Sequence, residues 1–531
     1  MLTLAPILFL IFSSLLINLL HGFERGRGYA WMAALLSAII AWASVLFLGS
    51  WQPDVLAIPQ WRPYLTETID TIIFRWDEIA WPYAFAMVSL GLAVIFTAPV
   101  RFHQNSNPRA WAANLAFTGL GLTAILAATP LGLILSWTML DLADLGYVLR
   151  FIPDWRDRRE AVTGFAARLI GTSLLLAAVV AARAEGGGWL FEDIQPAQGL
   201  LVLGAVVFRL GILPLNLGYV HQLPLQHGVT NTLRIAGIIS GLIVLARIPD
   251  QLFSNAVSPF LITLMGIACL YGALVWLVSK DEITGRPYWF LTLSGLAILS
   301  TMLGFGQSSI VWGLSLVISG GALFLFSFRS RRLLVIPILG LVGFSSIPFT
   351  PGSEGWLPFS NSASGIIFLI LVQALIMIGY IRHAVRPGAP IGYLEGWGKV
   401  LYTIGLVILL LSGWLPAIFE QPSGLSVGIW WAASIVLILV ALGCWLGWRR
   451  VPQEDADSDR AGWLFMLVSR AGEGIREFLL FGWLFKILGS LFSGLQRLVL
   501  ITTDLLEGQG GVLWALLLLA LLLTILGAGG G

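Results

Sequence analysis

Residues 82–100 read PYAFAMVSLGLAVIFTAPV, a run of 19 residues without a charge. At 1.5 Å per residue such a run makes a helix of about 28 Å, close to the roughly 30 Å of hydrocarbon in a bilayer. It lacks the alternation of polar and apolar residues that marks a barrel strand. Lipid offers the backbone no hydrogen bonds, so a continuous apolar segment crosses it as a helix.

Similar runs recur from one end of the chain to the other. They fall at about 2–21, 29–50, 82–100, 110–127, 129–149, 161–182, 198–219, 228–246, 257–279, 288–305, 308–328, 333–348, 364–381, 400–418, 425–447 and 511–528. The expected fold class is all-α: a polytopic membrane protein of about 16 transmembrane helices. Composition agrees, with 58% hydrophobic and only 11% charged residues in 531. A soluble domain carries about a quarter charged residues, and less than half that density cannot clothe a surface facing water. The first run lacks the basic flank and small-residue cleavage site of a signal peptide, so it is read as a retained helix.

The basic residues sort by loop. Loops after the odd-numbered spans hold 23 of the 30, including Arg150, Arg156, Arg158 and Arg159; the opposite loops hold four. Arg168, Arg209 and Arg234 lie within spans or at their ends. By the positive-inside rule the basic loops face the cytoplasm and the N-terminus faces outside, as in a bacterial cytoplasmic (inner) membrane. Four parts are expected: 1–110, N-terminal helices and an external loop; 111–383, a core; 384–450, peripheral helices; and 451–531. The last part holds the linker VPQEDADSDR (451–460), a lateral amphipathic helix over 461–507 and an anchoring span. A rival reading makes 478–495 a further span.

Soluble-enzyme motifs are missing. There is no CxxC, HExxH, GxGxxG or Walker-type loop, and the two cysteines, Cys269 and Cys444, lie in apolar runs. No catalytic residue, metal site or cofactor is expected, and no nucleic-acid partner.

From Arg209 to Arg234 the chain reads RLGILPLNLGYVHQLPLQHGVTNTLR. This resembles the signature of the antiporter-like membrane subunits of respiratory complex I, multisubunit Na⁺/H⁺ antiporters and membrane hydrogenases. Pro214 and Leu215 fall on the signature's Pro-Leu, Val229 on its Val, Arg209 on its Lys and Arg234 on its His. LVGFSSIPFTPG (341–352) and RPYWFLTLSGLAILSTMLGFG (286–306) are similar to two further family segments. The layout matches the largest subunit of the group: fifteen spans, a lateral helix and a last anchor.

The resemblance implies a membrane subunit of a larger assembly, with other membrane subunits and the lipid bilayer as partners and H⁺ or Na⁺ as the ion. At most it is a non-redox subunit of an NADH:quinone oxidoreductase-like complex, with redox centres in its partners. It also implies broken helices near 214–224 and 345–352, where Pro214, Pro224, Pro348 and Pro351 fall. Family proton paths use a buried Glu in span 5, a Lys at the span 7 break, further Lys or His groups around spans 8–11, and a Lys or Glu at the span 12 break.

This sequence departs from that path. Thr138 stands at the Glu position, with Asp141 and Asp144 at one-turn intervals along the same face. Either carboxylate can supply the missing charge, or Asp141 can sit in a fixed pair with Arg209 or Arg168. Arg209 is an electrostatic switch or a permanent bridge; Arg234 lines a cavity or snorkels to the interface. His221 and His227 titrate in the range of proton uptake or serve as surface residues. In span 11, Gly320, Leu316 and Trp312 leave nothing titratable at the family positions, and Glu354 is expected to be a solvated loop residue. Three functions compete: ion translocation through a modified charge path, a non-conducting scaffold, and a membrane enzyme acting on a lipid-linked substrate.

Overall fold

The computed structural model describes residues 2–20, 24–51, 55–59, 70–101, 108–151, 155–213, 227–253, 257–330, 332–345, 347, 350–386, 389–390, 395–419, 430–449, 509–528 and a few between 490 and 500. The chain divides into two compact units, Met1–Gly472 and Glu473–Gly531.

The first unit is a bundle of α1 (Ala5–Leu20), α2 (Glu24–Trp51), α3 (Ala80–Thr97), α4 (Pro108–Leu126), α5 (Pro130–Phe151), α6 (Trp155–Ala184), α7 (Gly199–Arg209), α8 (His227–Arg247), α9 (Ser258–Val278), α10 (Glu282–Met302), α11 (Gly306–Leu325), α12 (Val335–Phe344), α13 (Ala363–Val385), α14 (Gly396–Phe419) and α15 (Trp430–Arg449). The second unit contains α16 (Gln509–Ala528). Nine helices among the described residues are long and apolar enough to cross a membrane. The order and bounds follow the apolar runs of the sequence.

Every residue of α3 is buried, as is α10 from Gly285 to Met302. Helices apolar on all sides belong in the middle of a bundle, and α3, α10 and α11 form its core. Starts are set by local chemistry. The Asp281 carboxylate accepts from the Thr284 amide at 2.6 Å to cap α10, and Ser362 accepts from the Gly365 amide at 3.0 Å to cap α13.

Contacts between helix ends tie the bundle together at both ends. At one end, Arg247, the last residue of α8, reaches Asp77 before α3 at 2.8 Å, and Asp250 accepts from the first amide of α11 at 3.1 Å. At the opposite end, Arg386 after α13 donates to the Ser279 carbonyl after α9 at 2.8 Å.

Two short sheets modify the all-α expectation. In the loop between α2 and α3, β1 (Leu56–Pro59) pairs antiparallel with β2 (Asp70–Phe74), whose sequence DTIIF carries β-branched residues. Beyond α11, β3 (Phe328–Arg329) pairs parallel with β4 (Ala389–Pro390).

Two elements stop short. α7 ends at Arg209, and Gly211 follows with φ +70°, a left-handed conformation that glycine adopts without a steric penalty. α12 ends at Phe344, and the Gly352 amide returns to the Gly343 carbonyl at 2.9 Å before a 3₁₀ turn, Ser353–Phe359. Pro214, Pro224 and Pro348, expected at these breaks, lie outside the described residues, while Pro351 sits in the second one. The linker 451–460 lies outside them too, as does all of the expected lateral helix but a few helical residues between 490 and 500.

Candidate functional site

Asp141 lies midway along α5 and Arg168 midway along α6, each inside a helix long and apolar enough to cross a membrane. Arg209 is the last residue of the half-helix α7. These three helices bring the charges together. Arg209 Nη1 donates to both oxygens of Asp141, at 2.7 and 2.6 Å. Arg168 Nε donates to Asp141 Oδ1 at 2.9 Å, and its Nη2 to Asp144 Oδ2 at 2.5 Å. Asp141 is thus shared by two guanidiniums, and Arg168 by two carboxylates.

Most of the network is buried: residue exposure is 3% for Asp141, 5% for Asp144 and 2% for Arg209, while the Arg168 side chain keeps 12%. Water screens the Asp141–Arg209 pair little, and removing one partner of such a pair leaves the other poorly compensated, at a cost of about 3–5 kcal/mol.

α8 supplies the floor. Arg209 Nε donates to Ser240 Oγ at 3.0 Å, and its guanidinium lies 4.9 Å from the centroid of the Trp137 ring. Trp137 in turn donates to the Ser240 carbonyl at 2.9 Å, which fixes α5 against α8. Gly241 permits this arrangement, because a Cβ there would lie 3.0 Å from Arg209 Cγ. Gly171 on α6 likewise admits α7, since its Cβ would lie 2.9 Å from the Ala205 carbonyl oxygen. Two buried atoms of the Asp141–Arg209 cluster, Arg209 Nη2 and Asp144 Oδ1, make no hydrogen bond among the described residues.

The other expected residues divide clearly. Arg234 is buried, at 8% exposure, rather than snorkelling. Thr138 donates to the Ile134 carbonyl of its own helix at 2.8 Å and stays out of the network. His221 and the His227 side chain lie outside the described residues. Glu354 is half-buried rather than solvated, and burial pushes its carboxyl above the usual range. On α11, Trp312 and Leu316 are fully buried, and Gly320 packs on Trp289, whose indole donates to the Leu316 carbonyl at 3.3 Å.

Further buried polar contacts escape the sequence reading. Arg286 on α10 donates to Asn231 Oδ1 of α8 at 2.6 Å and lies 5.7 Å from the Phe324 ring centroid. Beside it, Thr232 donates to Asn114 Oδ1 of α4 at 2.6 Å, and Asn114 donates to the Gly91 carbonyl of α3 at 2.9 Å. Arg286 was visible as a basic residue at the start of a span, but neutral Asn and Thr in apolar runs give no sign of their partners. No group of His, Cys, Asp and Glu suited to a metal occurs among the described residues.

An arginine keeps its proton at any physiological pH, so it acts as a fixed charge. The groups in this network able to take up a proton are therefore Asp141 and Asp144.

No family model matches the chain, and no curated protein matches it. Solved structures do. A chain of the Mrp complex from Dietzia sp. DQ12-45-1b aligns with a TM-score of 0.70 at 14% identity over 100% of this chain. This protein spans 63% of the length of that chain. A chain of the membrane-bound sulfane sulfur reductase (MBS), an archaeal respiratory membrane complex, aligns with a TM-score of 0.65 at 15% identity, over 98% of this chain and 99% of that one. A chain of respiratory complex I from Thermus thermophilus with bound NADH gives 0.62 at 19%, over 83% and 99%. At such identities the likeness defines the fold, and the chain is an all-α integral membrane protein with a complex I-like membrane fold.

Proposed function

We propose that the chain is an antiporter-like membrane subunit of a complex I-like or cation/proton antiporter-type assembly. In this reading it takes part in H⁺ (or Na⁺) translocation through Asp141 and Asp144, with other membrane subunits as its partners. The observation that carries the reading is the sharing of Asp141 between Arg168 and Arg209, the latter the last residue of α7. Gly211, two residues beyond, gives that tip a backbone able to turn. Movement of the α7 tip withdraws one guanidinium, Asp141 then accepts a proton, and return of Arg209 expels it. Arg209 itself never deprotonates, so the pair works as an electrostatic gate. The membrane proposed is a bacterial cytoplasmic membrane, with basic loops inside.

The test is ion flux in vesicles carrying the native assembly. Asp141→Asn is expected to abolish flux with assembly intact; unaltered flux defeats the reading. The same assay with and without Na⁺ distinguishes the two ions.

A second reading, a non-conducting scaffold, is favoured by α11. There Trp312, Leu316 and Gly320 seal the positions where a relay would need titratable groups. It predicts unchanged flux in Asp141→Asn and dispersal of the complex on deleting 461–531.

A further inference from the structure

α9 and α13 pack side by side, and each keeps one apolar stripe exposed: Phe260, Ile267 and Val278 on α9, and Ile367, Leu371 and Val385 on α13. The stripes recur at helical spacing and run to the end of the bundle where the basic loops gather. At that end the surface changes character. Exposed Arg382, in the last turn of α13, crosses to donate to the Leu277 carbonyl of α9. Arg386, a turn further on, donates from Nη2 to the Ser279 carbonyl at 2.8 Å. Lys280 is exposed immediately beyond. β3 pairs with β4 close by, which brings the backbone of Arg329 alongside Pro390.

The arginines cap the last carbonyls of α9, a structural role in itself. Capping employs a backbone acceptor, however, and for exposed Arg382 it leaves the positive charge in place. The Asp281 carboxylate accepts from the Thr284 amide, and Glu282 is half-buried on the first turn of α10. The exposed cations at the boundary are Arg382 and Lys280. Apolar stripes below and cations at the water boundary match a phospholipid in both of its parts: acyl chains along the helices and an anionic headgroup among the cations.

We propose that the basic end of the α9–α13 face is a binding site for an anionic phospholipid of the leaflet next to the basic loops. Its acyl chains lie along Leu371, Val385 and Val278, and its phosphate sits between Lys280 and Arg382. The site is separate from the Asp141 network and does not depend on ion translocation.

The full-length protein, purified in mild detergent, is incubated with equal amounts of phosphatidylglycerol and phosphatidylcholine, and retained lipid is read by native mass spectrometry. Phosphatidylglycerol is expected to be retained preferentially. Lys280→Gln, which removes a charge and no helix cap, is expected to weaken that retention roughly fivefold. Arg382→Lys keeps the charge and is expected to keep the preference. Deacylated glycerophosphoglycerol is expected not to compete, because it has no chains to place on the stripes. Equal retention of both lipids, an unchanged preference in Lys280→Gln, or competition by the deacylated headgroup at matched concentration would each overturn the proposal.

Discussion

Replacing Asp141 by Asn keeps the size of the side chain and removes its charge. The wild-type carboxylate accepts three charged hydrogen bonds, at 2.6, 2.7 and 2.9 Å, from two arginines. Asp144 accepts one described bond, at 2.5 Å, and its Oδ1 makes none. A hydrogen bond to a charged group contributes about 1.5–3 kcal/mol, and breaking a buried pair costs about 3–5 kcal/mol. Asp141→Asn is therefore expected to lose about 3–5 kcal/mol, and Asp144→Asn about 1.5–3 kcal/mol. Reversible unfolding in mixed detergent micelles measures both. Arg209→Gln completes a double-mutant cycle with Asp141→Asn. Because the two residues touch, the double variant is expected to cost less than the sum of the singles, by about 0.5–3 kcal/mol. Strict additivity, or an Asp144→Asn at least as damaging as Asp141→Asn, would refute a network centred on Asp141.

Three other outcomes follow from local geometry. Gly211→Ala places a side chain at φ +70° and is expected to destabilise by about 1–2 kcal/mol in the same assay, with Gly211→Asn milder. Gly313→Ala puts a Cβ 2.2 Å from the buried Tyr83 hydroxyl; the overpacking costs about 1–3 kcal/mol, and Tyr83→Phe is expected to restore only part of it, because the ring carbons Cε1 and Cζ still lie 2.8 and 2.9 Å from that Cβ. Burial opposes ionisation of Asp77, but Arg247, the Ala80 amide and Arg75 outweigh it and hold the carboxyl below its ordinary 3.8. A depressed folded-state pKa means that the contribution of the α3–α8 clamp is complete above 3.8 and is lost as pH falls further; Asp77→Asn should flatten that acid limb of the unfolding profile.

Much of the site was legible one helix at a time. Asp141 and Asp144 share a face because they are three residues apart, and Arg168 and Arg209 stand out because a charge in an apolar run is costly to insert. The sequence left open whether Asp141 pairs with Arg168 or Arg209. The fold shows both, since α6 and α7 approach α5 together. Glu354 could not be placed from its loop setting, because its burial comes from the 3₁₀ turn packed beside α11 and α13.

What the sequence by itself determined is the all-α class, the set of apolar runs and which of them carry a charge. Those depend on the length of apolar runs and on the cost of charge in lipid, both of which are properties of a single segment. Only the tertiary structure decided which charges meet, that α7 stops at Arg209, and that Asn114, Thr232, Asn231 and Arg286 pair across helices. Lipid is as apolar as the helix surfaces, so hydropathy does not specify which helices pack together. Partner choice comes from close fits, such as those at Gly171 and Gly241, and from polar groups that find each other only after the helices have assembled.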